Sequence, residues 1–252
     1  MEFLSAWVWL FLTLIPLLVL ERWIHRHIQG IGLLLLRHPD LATIFYAVIF
    51  FPGVALHETS HWLMAKLLGV QTARFSLSPK RQANGVLRLG YVETAKVDFI
   101  RESLIGLAPL ITGSILVVLI GYSRLGVGPL GEAIAKGKFD AMIQGVAATF
   151  KSADALIWLY LIFTVSNSMM PSASDRRAWL SVTVVLILIG IALYYVGAGP
   201  LVLRGVGEPL AAGVRVIASA FSITIGVNVL IIPVVWLIEK GLIRLTGMKV
   251  NY

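Results

Sequence analysis

The chain has no cysteine and little charge. None of its 252 residues is Cys, which excludes disulfides and thiolate metal ligands, so any metal must be held by nitrogen or oxygen. Charged residues make up 13%, well below the roughly 25% of a soluble domain. Tandem repeats, low-complexity tracts and a second soluble segment are also missing. Hydrophobic residues reach 58% and the mean hydropathy is +0.87, which points to one polytopic membrane domain over residues 1–252. The first apolar run, "FLSAWVWLFLTLIPLLVL", has no basic stretch before it and no A-x-A-like site after it, and reads as a retained anchor.

Apolar runs begin near Phe3, Leu41, Ser103, Ala155, Trp179 and Ala211. At about 20 residues per crossing they predict an all-α polytopic membrane protein of about six transmembrane helices. The core helices lie within about 41–196, and peripheral helices at about 3–23 and 211–238. The net charge of +8 does not imply nucleic acid, because the Lys and Arg are spread over the loops that flank apolar runs, as in the positive loop ends of membrane proteins.

Into this apolar background "FFPGVALHETSHWLMAKLLGV" sets two histidines and a glutamate within five residues. Each ionisable group near a helix centre costs about 2–3 kcal/mol in lipid, so three together require a ligand or a wet cavity. Residues four apart share a helix face about 6 Å apart along the axis, so His57 and His61 can aim at one ion. In the H-E-x-x-H pattern the histidines bind Zn²⁺ and Glu58 is the general base toward water. A histidine–carboxylate helix contact is the plainer alternative.

Such a site needs a third protein ligand. His25, His27 and His38 fall in the basic segment after the first helix, where a solvated or headgroup-facing role is expected. Asp175, in "FTVSNSMMPSASDRRAWL", is the best carboxylate at membrane depth, because Pro171 ends the preceding helix and lets irregular backbone cross beside protein or water. Asp175 could equally be an N-cap for a helix beginning near Arg176.

"HETSH", "GLAPLITGS" at Gly106 to Ser114, and Asn167 followed by Asp175 together resemble the site-2 protease family of intramembrane zinc metalloproteases. The resemblance covers about residues 41–196 and keeps the motif order. It implies His57, His61 and Asp175 as the zinc ligands, Glu58 as the catalytic base, Asn167 as a holder of the substrate backbone, and a transmembrane protein substrate; the Asn167 amide could instead merely satisfy the broken helix end. Three departures are visible: the Pro after Asn167 is displaced by one place, Arg176 and Arg177 follow the aspartate where glycine is usual, and one more residue separates Gly106 from Pro109.

Between the first two motifs, "RFSLS" and "VLRLGYVE" alternate around an "NG" turn signal and predict a short β-hairpin-like element at the membrane boundary. Such an edge can pair with an unwound substrate strand, or be an ordinary extramembrane hairpin. Phe139, Met142, Ile143, Val146 and Phe150 recur at helical spacing and predict an interfacial helix, either a gate or a passive cap. Asn228 and Pro233 mark the last helix for a structural hydrogen bond and kink, or for a flexible substrate gate. Lys and Arg divide almost evenly between the two sides of the bilayer; the resemblance implies a cell (inner) membrane, N-in and C-in, with the site nearer the cytoplasm. Two other functions stay open: a catalytically silent factor that binds membrane proteins, and a metal or solute transporter, against which the lack of a repeat counts.

Overall fold

The structure, a computed structural model, describes residues 2–78, 80–81, 87–135 and 137–250. In chain order the helices are α1 (Glu2–Leu36), α2 (Pro39–Ile49), α3 (Phe51–Leu67), α4 (Phe99–Arg124), α5 (Val127–Ala135), α6 (Phe139–Thr149), α7 (Ala155–Ser166), α8 (Trp179–Tyr195) and α9 (Gly199–Thr246). Four short strands, β1 (Thr72–Ser76), β2 (Lys80–Arg81), β3 (Leu87–Arg88) and β4 (Tyr91–Thr94), lie between α3 and α4.

The helices are fewer in full crossings than the six apolar runs predict. Among the described residues, Phe3–Leu36, Phe99–Arg124 and Arg204–Thr246 are long and apolar enough to cross a membrane, and α2 with α3 makes a fourth if their 73° bend is one broken span. The runs from Ala155 and Trp179 form helices of 12 and 17 residues. The bend has a local cause. Pro52 stands in the first turn of α3, where a missing N–H costs nothing, but it cannot continue the ladder of α2. At the corner Phe50 is fully buried, its ring 4.7 Å from Tyr46 and 5.5 Å from Phe163.

α1 does not stop after the first apolar run. It continues through "ERWIHRHIQG" to Leu36, and ends where Arg37 takes a φ of 52° and His38 caps α2 by accepting from the Asp40 N–H. Ile24, Ile28 and Ile31 face inward at helical spacing, while Arg22 and Arg26 are exposed. α1 and α9 pack along each other, and α9 also meets α4 and α7, so all four join one core. α8 buries no residue.

The predicted β element is present as two antiparallel pairs. β1 pairs with β4, Phe75 opposite Val92 and Ser76 opposite Tyr91, and β2 pairs with β3. The "NG" turn at Asn84–Gly85 lies outside the described residues, as do the side chains of Phe139 and Met142 in the predicted interfacial helix. Asp98 caps α4, its carboxylate accepting from the N–H groups of Ile100 and Arg101. The Arg101 N–H, foremost among these contacts, holds that carboxyl below the usual carboxylate range.

Candidate metal centre

His57 and His61 project from α3 toward the segment that follows α7. His57 Nδ1 lies 2.7 Å from the Ser168 carbonyl oxygen and His61 Nδ1 lies 2.8 Å from that of Ile105. A carbonyl only accepts, so each Nδ1 carries the hydrogen and each Nε2 presents a bare lone pair when the ring is neutral. The two Nε2 atoms face each other at 3.1 Å.

The sequence explains why both carbonyls are available. Ile105 would bond the N–H of residue 109 in an unbroken helix, but Pro109 has none, and its ring pushes the carbonyl four residues back out of the ladder. Ser168 lies just past the end of α7, beyond any intrahelical partner. Each of the two histidines is therefore oriented by a carbonyl that an interrupted helix leaves over.

Asp175 completes the cluster. Its Oδ1 is 3.3 Å from His61 Nε2 and its Oδ2 is 3.7 Å from His57 Nε2. The alternative reading of Asp175 as an N-cap is not what forms, because α8 starts at Trp179 with Ala178 before it. Instead Ser172 and Asp175 bond reciprocally: the Ser172 N–H donates to Oδ2 at 2.7 Å and the Asp175 N–H donates to Ser172 Oγ at 3.3 Å. This is a capping box, S-x-x-D, which fixes the carboxylate's rotamer from behind. α4 closes in from the other side, where Gly106 permits contact no side chain would: a Cβ there would lie 2.2 Å from the Asp175 carbonyl oxygen.

These residues fit a metal. One donor atom each from His57, His61 and Asp175 lie within 4.8 Å of one another, so the group could hold a metal ion. Tetrahedral bonds of about 2.0–2.1 Å to N and O place donors about 3.3 Å apart, close to the separations seen. Without a cation or a proton among them, two lone pairs and a carboxylate would converge unsatisfied.

Glu58 is buried beside the cluster and packs against Gly90, where a Cβ would meet its Cγ at 2.7 Å. It lines the same cavity, about 840 Å³ in volume, together with the three donor residues, β4 and the 167–177 segment. Asn167 also lines the cavity but is 3% exposed. Its Nδ2 donates to the Phe163 carbonyl at 2.8 Å and to Asn228 Oδ1 at 2.9 Å, and its Oδ1 accepts from Asn228 Nδ2 at 3.2 Å. Both amide hydrogens thus serve the end of α7 and the tie to α9, which leaves one lone pair for any substrate.

The headgroup-facing role expected for His25 is not what the structure gives. His25 and Tyr46 form part of the cavity wall, and Tyr46 Oη is 2.6 Å from His25 Nδ1. The inward spacing of Ile24, Ile28 and Ile31 is the signal that places His25 inside. His27 is turned toward α9, where its Nε2 is 3.7 Å from the Glu239 carboxylate. Compared with known proteins, the chain matches no family model, no curated protein sequence and no solved structure. The chain is helical, with apolar helices long enough to cross a membrane and a His-His-Asp group that could hold a metal ion.

Proposed function

We propose that the chain is an intramembrane zinc metalloprotease that hydrolyses peptide bonds in or near transmembrane segments of other proteins. The observation that carries this reading is the convergence of three acceptors, His57 Nε2, His61 Nε2 and an Asp175 oxygen, with Glu58 beside them in one cavity wall. Zinc suits two imidazoles and a carboxylate with a position left open, and when bound it would supply Lewis-acid polarisation of water and of the scissile carbonyl.

The chain's own groups do the rest. With their Nδ1 hydrogens given to the Ser168 and Ile105 carbonyls, the neutral rings of His57 and His61 turn their Nε2 lone pairs toward the ion. Glu58 is not needed as a ligand; its carboxylate takes the proton from water and returns it to the leaving nitrogen. The β1–β4 pair would offer backbone groups to an extended substrate, since a helical peptide bond hides its carbonyl within the ladder. Asn167 would add its remaining lone pair to a substrate N–H.

The six-crossing arrangement belongs to the same proposal. α7 is about 18 Å long, short of a hydrocarbon core of roughly 30 Å. Residues 167–178 would then complete the crossing as irregular backbone, tolerable because it borders protein and a cavity. Lipid covers α8, and the site faces the cytoplasmic side.

The test is zinc content and cleavage side by side. Purified wild type should carry zinc and cut members of a panel of transmembrane substrates, whereas Glu58→Gln should keep the zinc and cut none. A wild type without zinc, or equal behaviour of both proteins toward every substrate, would sink the proposal.

A further inference from the structure

The cavity holds one histidine that the proposed mechanism does not use. His25, on α1, is half-buried, and its Nε2 lies 3.1 Å from the carbonyl oxygen of Asn167. That carbonyl can only accept, so Nε2 carries the hydrogen, and Nδ1 accepts from the Tyr46 hydroxyl at 2.6 Å. The hydroxyl of Tyr46, itself buried on α2, therefore enforces the tautomer that His25 needs in order to donate. Glu21 stands one turn back on α1, its Oε1 3.5 Å from the same Nε2. Both ring nitrogens are committed to protein groups, which rules His25 out as the base and leaves it a geometric part.

What His25 grips is the end of α7. Asn167 is the C-cap residue, where carbonyls lack intrahelical donors. The next carbonyl along, that of Ser168, is the one that accepts from His57 Nδ1. Two histidines from α1 and α3 thus hold successive carbonyls of one broken helix end, and Asn228 on α9 holds the Asn167 amide between them. Were the Asn167 carbonyl released, the peptide that carries the Ser168 carbonyl could turn. His57 would then lose the bond that aims its ring and keeps its Nε2 bare.

We infer that His25, with its tautomer set by Tyr46, is a positioning residue for the metal centre. It fixes the Asn167 carbonyl and so the Ser168 carbonyl that orients His57. The inference rests on the reading of His57, His61 and Asp175 as zinc ligands, and it extends that machinery to α1 and α2, outside the ligand set. Removing an outer-shell partner of a zinc ligand lowers affinity about 10–100-fold; His25 acts one bond further out, so about tenfold is expected.

The experiment titrates Zn²⁺ into the metal-free full chain in detergent, against a competing chelator, for wild type, His25→Ala, His25→Gln and Tyr46→Phe. Gln places an amide N–H near the reach of Nε2 and should rescue. Expected are about tenfold weaker zinc binding for His25→Ala, within about threefold of wild type for His25→Gln, and an intermediate loss for Tyr46→Phe. Cobalt substitution adds a spectroscopic reading: the ligand-field bands should change in His25→Ala and return in His25→Gln. Unchanged affinity in His25→Ala and Tyr46→Phe would overturn the inference, and so would equal losses in His25→Ala and His25→Gln, which mark mere packing. Should His25→Ala fail to fold, Tyr46→Phe decides, since it removes one hydroxyl: a loss supports the inference and wild-type affinity overturns it. A wild type that binds zinc but cuts nothing defeats only the protease reading, because affinity is read without cleavage; a wild type that takes up no zinc defeats both.

Discussion

Replacing Gly106 by alanine tests whether contact with α4 is what holds Asp175 in register with the two histidines. A Cβ at this position would stand 2.2 Å from the Asp175 carbonyl oxygen, 3.0 Å from its carbonyl carbon and 3.3 Å from its Cα. All three are backbone atoms, so no side-chain rotation relieves the overlap, and real contacts of this kind do not close below 3.0 Å. The turn and the helix must therefore part by nearly an ångström. Oδ1 of Asp175 is 3.3 Å from His61 Nε2 and Oδ2 is 3.7 Å from His57 Nε2, separations already near those of a shared ion. Functional constellations tolerate about 0.5 Å of displacement, so such a shift is more than the site can absorb. Zinc affinity should fall about 10–100-fold. Cleavage, where it is measured, should fall on the order of 100-fold. The helix itself gains from the change, since alanine is better than glycine by about 1 kcal/mol in a helix interior, so weakened binding would not be a helix effect. Gly226→Ala in α9 is the matched control, as nothing lies within 4 Å of the added methyl. Zinc titration against a competing chelator compares the two. If Gly106→Ala binds zinc as tightly as Gly226→Ala, the Asp175 turn is not pinned by α4 and the reasoning fails.

Four further outcomes are expected. Zinc at about 100 times its Kd should stabilise the fold by about 2.7 kcal/mol, so a chelator should lower the Tm and zinc, but not magnesium, should restore it. Pro109→Ala returns an N–H to the Ile105 carbonyl and sets it in competition with His61 Nδ1; zinc should bind several-fold more weakly although the helix is improved, and unchanged binding would detach Pro109 from the site. Asn167→Leu and Asn228→Leu should each destabilise, with a coupling between them of about 0.6–1.7 kcal/mol in a double-mutant cycle; additive effects would deny the pairing. The Asp98 cap titrates with a depressed folded pKa, so its contribution is whole above the ordinary carboxylate range and is lost as pH falls through the folded value; the Tm gap between wild type and Asp98→Ala should close on acidification through that range, and a gap constant with pH would exclude the cap as its source.

Much of the site was legible because its parts are local patterns. The i, i+4 spacing set His57 and His61 on one face, and the scarcity of carboxylates at membrane depth singled out Asp175. The reciprocal bonds between Ser172 and Asp175 were not read, since the sequence offered a plain N-cap near Arg176 as the alternative for that aspartate. Apolar runs fix the span count only in part, because a run records composition while a crossing needs unbroken length: Pro52 bends one run by 73°, and the runs from Ala155 and Trp179 form helices of 12 and 17 residues. Asn228 was marked for a structural hydrogen bond and makes one, but its partner, Asn167, 61 residues away, left no periodic trace. His25 was obscured by its neighbours, since Arg22, Arg26 and Glu21 give the segment a surface composition while the helix turns only some of them outward.

The same interruptions that shorten these helices are what make the site possible. A continuous helix spends every interior carbonyl on its own ladder and has none to offer a histidine. The carbonyls that orient the three histidine rings arise where ladders break: Ile105 ahead of Pro109, and Asn167 and Ser168 at the end of α7. Each is then filled from another helix, Ile105 and Ser168 by His61 and His57 of α3 and Asn167 by His25 of α1. In a low-dielectric interior an unfilled carbonyl is costly, so each break demands a donor and each histidine demands an acceptor. Tautomer, ring direction and helix packing are consequently settled by one set of bonds, which is why a residue on α1 and a proline on α4 are expected to act on a metal that neither touches.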